Sequence, residues 1–152
     1  MVPLTIREAR RSDVEAIRAL LADDKLGATR EDLSEDGLGK YLTAFDAIAA
    51  DPRNDLMVAE QSGALVGTYQ VNYIPYLSRG GNERVLIEAV RVASDRRGYG
   101  IGRQMMERAL DDARARGCLL AQLTTDKNRP DAHRFYLSLG FNSTHEGMKL
   151  AL

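Results

Sequence analysis

The chain opens on Leu4-Thr5-Ile6-Arg7, where apolar and polar residues alternate with the two-residue period of a strand that buries one face. Ser12 and Glu15 then stand three apart, the spacing of a capping box. Val14, Ile17, Leu20 and Leu21 follow at helical spacing. After a connection containing Asp23-Asp24 and Gly27, the stripe Tyr41, Phe45 and Ile48 predicts a second amphipathic helix that stops before Asp51-Pro52. From Leu56 the period shortens again, and residues 56–59 and 64–71 predict two strands joined as a hairpin across Ser62-Gly63. Residues 74–82, with Pro75 and Gly80-Gly81, read as a loop, and residues 85–92 as a long strand.

Beyond that strand, Ile101, Met105, Met106, Ala109, Leu110 and Ala113 form one face of a helix that Gly117 ends. Leu119, Leu120, Ala121 and Leu123 predict a buried strand. Ala132, Phe135, Tyr136 and Leu139 predict a short helix, with Pro130 in its first turn, Gly140 after its end and Phe141 as the accompanying hydrophobic contact. A strand pair at residues 141–143 and 148–150 is expected to close the sheet. The order β-α-α-β-β-β-α-β-α-β-β mixes a hairpin with strand-helix-strand units, so the fold class is α/β, a single mixed central sheet flanked by helices. No repeat, linker or low-complexity stretch interrupts it, and residues 1–152 are expected to form one domain.

Composition narrows the functions this frame can carry. The charges nearly cancel, 21 basic against 22 acidic residues for a net −1, which argues against a broad nucleic-acid footprint while leaving room for a local basic patch. The single cysteine, Cys118, has no partner for an intrachain disulfide, and residues 1–5 lack the regions of a signal peptide, so the expected location is the cytoplasm without membrane attachment. His133 and His145 stand twelve apart with one distant cysteine, which is no metal-ligand spacing.

The chemistry concentrates on Arg97-Gly98-Tyr99-Gly100-Ile101-Gly102, set between a strand and a helix. Three alternating glycines let backbone amides turn inward, the free amides and positive end of the helix favour a pyrophosphate, and Arg96, Arg97 and Arg103 can add charge-assisted bonds. A tight strand-to-helix connection would use the same glycines. A dinucleotide fingerprint requires glycine where Arg103 stands, and a P-loop requires Gly-Lys-Ser/Thr where Gly102-Arg103-Gln104 stands, so neither a hydride-transfer enzyme nor a nucleoside triphosphatase is supported. Arg97-x-x-Gly100-x-Gly102 instead resembles the pyrophosphate loop of the GCN5-related N-acetyltransferase (GNAT) family. Residues 131–141, Asp-Ala-His-Arg-Phe-Tyr-Leu-Ser-Leu-Gly-Phe, resemble that family's Ala-x-x-(apolar)-Tyr-x-x-x-Gly-Phe segment. The strong similarity spans about residues 87–150, and the first half agrees only in its order of elements.

The resemblance implies an acetyl-CoA-dependent N-acetyltransferase acting on a small-molecule or peptide amine by direct attack in a ternary complex. Val90, Arg91 and Val92 would pair with the pantetheine arm like an added strand, and Arg97, Gly98, Tyr99, Gly100, Ile101, Gly102 and Arg103 would hold the pyrophosphate. Where the family often has asparagine this chain has Arg129, with Asn128 one residue earlier. Many relatives are dimers, and a homodimer is carried over as analogy. The alternative is a non-catalytic acyl-CoA-binding sensor or interaction module on the same fold, since fold does not settle function.

Acetyl transfer needs a neutral amine, a polarised carbonyl and a proton for the leaving thiolate. Deprotonating an amine of pKa about 10.4 at pH 7 costs roughly 4–5 kcal/mol, and Glu88, on a strand that is otherwise apolar up to Val90, is the candidate base, its side chain expected on the face of Val90 and Val92. A carboxylate paired with an arginine at the strand edge is the structural alternative. By resemblance a backbone amide near Val90 polarises the carbonyl, and Tyr136 protonates the thiolate. A tyrosine packed beside Phe135 is the alternative. His133 reads as a solvent-side residue and Cys118 as a structural thiol. Asp23, Asp24, Glu31, Asp32, Glu35 and Asp36 form an acidic segment where related enzymes commonly shape the acceptor pocket, and Tyr73, Tyr76 and Arg79 are loop candidates for acceptor contact.

Overall fold

The computed structural model describes residues 2–152, in two compact units that divide after Gln122. The first contains β1 (Thr5–Glu8), α1 (Val14–Ala22), α2 (Leu38–Ala49), β2 (Asn54–Gln61), β3 (Ala64–Pro75), the short helical turn α3 (Ser78–Gly81), β4 (Glu83–Val92), α4 (Ile101–Arg116) and β5 (Leu120–Gln122). The second contains α5 (Pro130–Ser138).

The sheet runs in the order β1-β2-β3-β4-β5, antiparallel through β4, with β5 parallel to β4. This is the single mixed sheet that the order of elements predicts. Ser62 and Gly63, at φ 53° and 76°, make the two-residue turn whose twist matches the β2–β3 hairpin. Parallel pairing of β5 requires a crossover, and α4 supplies it.

Register assigns the faces. Gly67 lies so close to α4 that an added β-carbon would sit 2.6 Å from the Met105 sulfur, so Gly67, Tyr69, Val71 and Tyr73 look toward α4. Helix α1, which also packs on β3 and β4, covers the opposite face, where Val58 and Thr68 are buried. Val58, Ala59, Val85, Met105 and Met106 have no accessible surface. Burying a Val or Met side chain contributes about 1.5–3 kcal/mol, which makes these two layers the core that holds β4 in place.

Four local expectations change. The strand expected to be buried at residues 119–123 is β5, an edge strand, with Leu119 and Leu120 73% and 42% exposed. No capping box forms at Ser12–Glu15; the Asp13 carboxylate instead accepts the Arg10 amide at 2.7 Å and binds Arg7, which also reaches Glu60. The loop expected at residues 74–82 is shorter, because pairing with β4 extends β3 through Ile74 and Pro75. The closing strands at residues 141–143 and 148–150 are absent: Met148 and Leu150 are 93% and 85% exposed. An alternation with no buried face cannot specify a register.

Candidate functional site

Strand β4 carries the candidate site of the first unit, and an irregularity in it decides what the strand presents. Arg91 pairs with Thr68, but Glu88 pairs with Gln70, so three steps along β4 match two along β3. The extra residue is a β-bulge opposite Tyr69, with Ala89 in the left-handed region at φ 53°. Directly paired residues share a face. Glu88 therefore lies with Gln70 and Arg91, on the face opposite α4, whereas Val92 pairs with Gly67 and looks toward α4. The expectation that Glu88 shares a face with Val90 and Val92 is corrected by that one inserted residue, which reverses the alternation. Glu88 is exposed, and its neighbour Gln70 donates its side-chain amide to Asn54 at 2.9 Å.

The bulge also bends the strand where its second partner ends. β5 pairs with β4 only from Arg84 to Leu86, so within the first unit the edge of β4 from Ile87 onward has no strand beside it. The Ala93 amide donates to Val66 at 2.9 Å, so by alternation the Arg91 peptide also turns to β3, and Val90 and Val92 turn outward. Their carbonyls accept from guanidiniums, Val90 from Arg91 Nη1 at 2.9 Å and Val92 from Arg97 Nε at 3.1 Å. Of the three residues expected to offer backbone at this edge, Val90 and Val92 have peptides turned outward, while the Arg91 peptide turns to β3.

At the C-terminal end of β4 the chain turns into α4 through Gly98 and Gly100, at φ 83° and 79°. Nothing lies within 4 Å of a β-carbon built on either, so glycine is required for the backbone angle rather than for space. No side chain caps α4, and its first-turn amides lack intrahelical acceptors, leaving a positive backbone end suited to an anion. Ile101 is buried and Gly102 lies in the first turn, so both can contribute amides alone, while Tyr99 is 77% exposed. Arg96 pairs with Asp95 at 3.5 Å and Arg103 with Glu107 at 4.0 Å, all on the surface.

A contact that sequence reading missed anchors this turn. Asp23, at the end of α1, accepts the Ser94 amide on its carboxylate at 2.7 Å, and its carbonyl accepts Arg97 Nη2 at 2.7 Å. Its only signal in the sequence is membership of the acidic segment. Half of that segment is spent internally: Asp24 caps Gly27, Glu31 takes the Tyr41 hydroxyl, and Asp32 holds Ser34, whose hydroxyl and amide keep the Asp32 carboxyl below its ordinary range. Buried Arg18 donates to the Asp32 and Ser34 carbonyls. Tyr73 leaves the acceptor candidates, because it is buried toward α4 and burial, with Asp55 nearby, pushes its hydroxyl up to about 12. Cys118 is half-buried, and burial raises its thiol, unlike an activated nucleophile.

In the second unit, Tyr136 sits on α5 with its ring edge-on to Phe135 at 5.2 Å and to Phe141 at 5.9 Å. Gly140 is left-handed at φ 93°, and the Phe141 amide returns to the Tyr136 carbonyl at 3.1 Å, fixing the ring that follows the helix. The Asn128 amide donates to Asp126 at 2.9 Å, ordering the turn before α5, and the Asn128 side chain is exposed, as is His133. Among the described residues no cluster suits a metal ion, and no helix is long and apolar enough to cross a membrane.

The acetyltransferase (GNAT) family pattern matches residues 14–141. An aminoalkylphosphonate N-acetyltransferase of Salmonella typhimurium is 29% identical over 92% of this chain and 86% of its own. A crystal structure named as a transcriptional regulator from Bacillus halodurans C-125 is 47% identical, with TM-score 0.95 over 99% of this chain and 100% of its own. A protein of Clostridium acetobutylicum named as a predicted acetyltransferase and solved with acetyl-CoA shares the fold, with TM-score 0.74 at 18% identity over 98% of this chain and 96% of its own.

Proposed function

The chain belongs to the acetyltransferase (GNAT) family, and on that premise we propose that it moves the acetyl group of acetyl-CoA to a primary amine in a ternary complex. The observation that carries this reading is the open edge of β4 running from the bulge to the left-handed glycine turn. One end suits an extended amide-bearing chain, the other a pyrophosphate. On acetyl-CoA binding, the outward peptides of Val90 and Val92 pair with the pantetheine amides, the Gly98–Gly102 amides take the pyrophosphate, and Arg97 and Arg103 add charge. Asn128 contributes from the turn before α5.

The amine nitrogen attacks the thioester carbon while Glu88, directly or through water, takes its proton. The Val90 amide stabilises the oxygen as it gains charge. The carbon–sulfur bond then breaks, and Tyr136 gives its proton to the thiolate, releasing CoA and the acetylated amine. The acceptor in the name of the Salmonella relative is an amine on an alkyl chain, which supports a small-molecule acceptor for this chain. The reading places the enzyme in the cytoplasm, as a homodimer.

Thiol release from acetyl-CoA with a panel of primary amines, comparing the wild type with Tyr136→Phe, tests this. Acceptor-dependent release that falls about 10²-fold or more in the variant is expected. Tight acetyl-CoA binding without release to any amine would sink it. The name of the 47% identical Bacillus protein favours a second reading, a non-catalytic acyl-CoA-responsive module, and that same result would establish it.

A further inference from the structure

The half of β4 before the bulge presents Arg84, Leu86 and Glu88 on one face, the face opposite α4. Arg84 differs from two other arginines at the rim of the sheet. Arg7 binds Asp13 and Glu60, and Arg116 binds Glu83. Among the described residues Arg84 has no carboxylate partner: its Nη1 donates to Gln122 Oε1 at 2.8 Å, and its guanidinium stacks 3.7 Å above the Tyr76 ring. A stacked and hydrogen-bonded guanidinium is held in one orientation, so little further ordering is lost when it takes a bidentate anion.

The surroundings suit that use. Arg84 borders a cleft lined also by Ser78, Arg79, Asn82, Glu83, Leu119 and Leu120. Arg79, exposed and left-handed at φ 56°, brings a second cation. The carboxylate that lines this cleft, Glu83, is engaged by Arg116 and Arg53, which offsets its charge toward an anion. Four residues of extended chain separate Arg84 from Glu88, about 13 Å between backbones, with half-buried Leu86 between them. That separation is the span an acceptor with an amine at one end and an anion at the other would have to bridge.

We infer that Arg84, assisted by Arg79, is an anion-binding residue for the acceptor, and that the acceptor is a short amine carrying a phosphonate, phosphate or carboxylate at its far end. The inference rests on the acetyl-transfer reading for Glu88. It adds the second pole of the substrate, with Glu88 meeting the amine and Arg84 the anion.

Propylphosphonate, which has the anion and no amine, is titrated by calorimetry into the wild type, Arg84→Gln and Arg84→Lys, each checked by thermal melting. Saturable binding is expected, weakened about tenfold or more in Arg84→Gln and partly restored in Arg84→Lys. No saturable binding, or binding unchanged in a folded Arg84→Gln, overturns the site. Thiol release is then compared for propylamine and aminopropylphosphonate. The wild type should favour the phosphonate on the order of 10–100-fold in kcat/KM, and Arg84→Gln should lose that preference mainly through KM. Equal use of both amines by the wild type overturns the acceptor assignment even if propylphosphonate or inorganic phosphate binds. If Arg84 binds propylphosphonate and neither amine releases thiol, the anion site stands and the acetyl-transfer reading fails.

Discussion

The two halves of β4 present different chemistry. Beyond the bulge, the strand offers peptide groups: the outward carbonyls of Val90 and Val92, then amides turned by two left-handed glycines at the mouth of α4. Before the bulge, it offers side chains: Arg84, Leu86 and Glu88 on one face. Backbone recognition suits a donor whose chemistry is constant, since any sequence with the right angles supplies it. Side-chain recognition suits an acceptor, because exchanging a residue changes specificity without moving the strand.

That contrast can be broken by experiment. Glu88→Gln should lower kcat about 10²–10⁴-fold while calorimetry shows acetyl-CoA affinity unchanged; parallel loss of both would mean that the halves do not act separately. On the donor side, Asp23→Ala frees the Ser94 amide from its carboxylate and should raise the KM for acetyl-CoA about tenfold, as expected when a charged hydrogen bond worth about 1.5–3 kcal/mol is lost. The ratio of rates between two amines should stay as in the wild type. At the boundary, a left-handed non-glycine residue costs about 1–2 kcal/mol, so Ala89→Gly should stabilise the fold by about 1 kcal/mol in urea denaturation.

The smallest effect concerns the face that neither half uses. Burial and the Glu8 carboxylate push the Asp55 carboxyl above its ordinary value. Its protonated form therefore favours the fold below the unfolded pKa, and this benefit disappears as pH rises through the raised folded value. Asp55→Asn should be more stable than the wild type at pH 7, and the gain should vanish near pH 3. Activity should stay unchanged throughout.

What could be read along the chain follows from residues that dictate their own geometry. Ser62-Gly63 marked the hairpin, Gly117 and Gly140 the helix ends, and the apolar stripe from Ile101 to Ala113 the helix that lies on the sheet. The glycines of the turn were legible for the same reason, although they serve backbone angle rather than clearance. The bulge was hidden because its left-handed residue is Ala89, which carries no such signal. Residues 148–150 had an alternating pattern and no partner to pair with.

The sequence by itself therefore determined the order of elements as far as α5, the glycine turn and the family, because local steric preference and hydrophobic period act within a few residues. Tertiary structure decided which face Glu88 occupies, that Arg84 is stacked without a counter-charge, and that Asp23 grips a turn 74 positions away. Those depend on strand register and long-range hydrogen bonds, which exist only after distant segments have met.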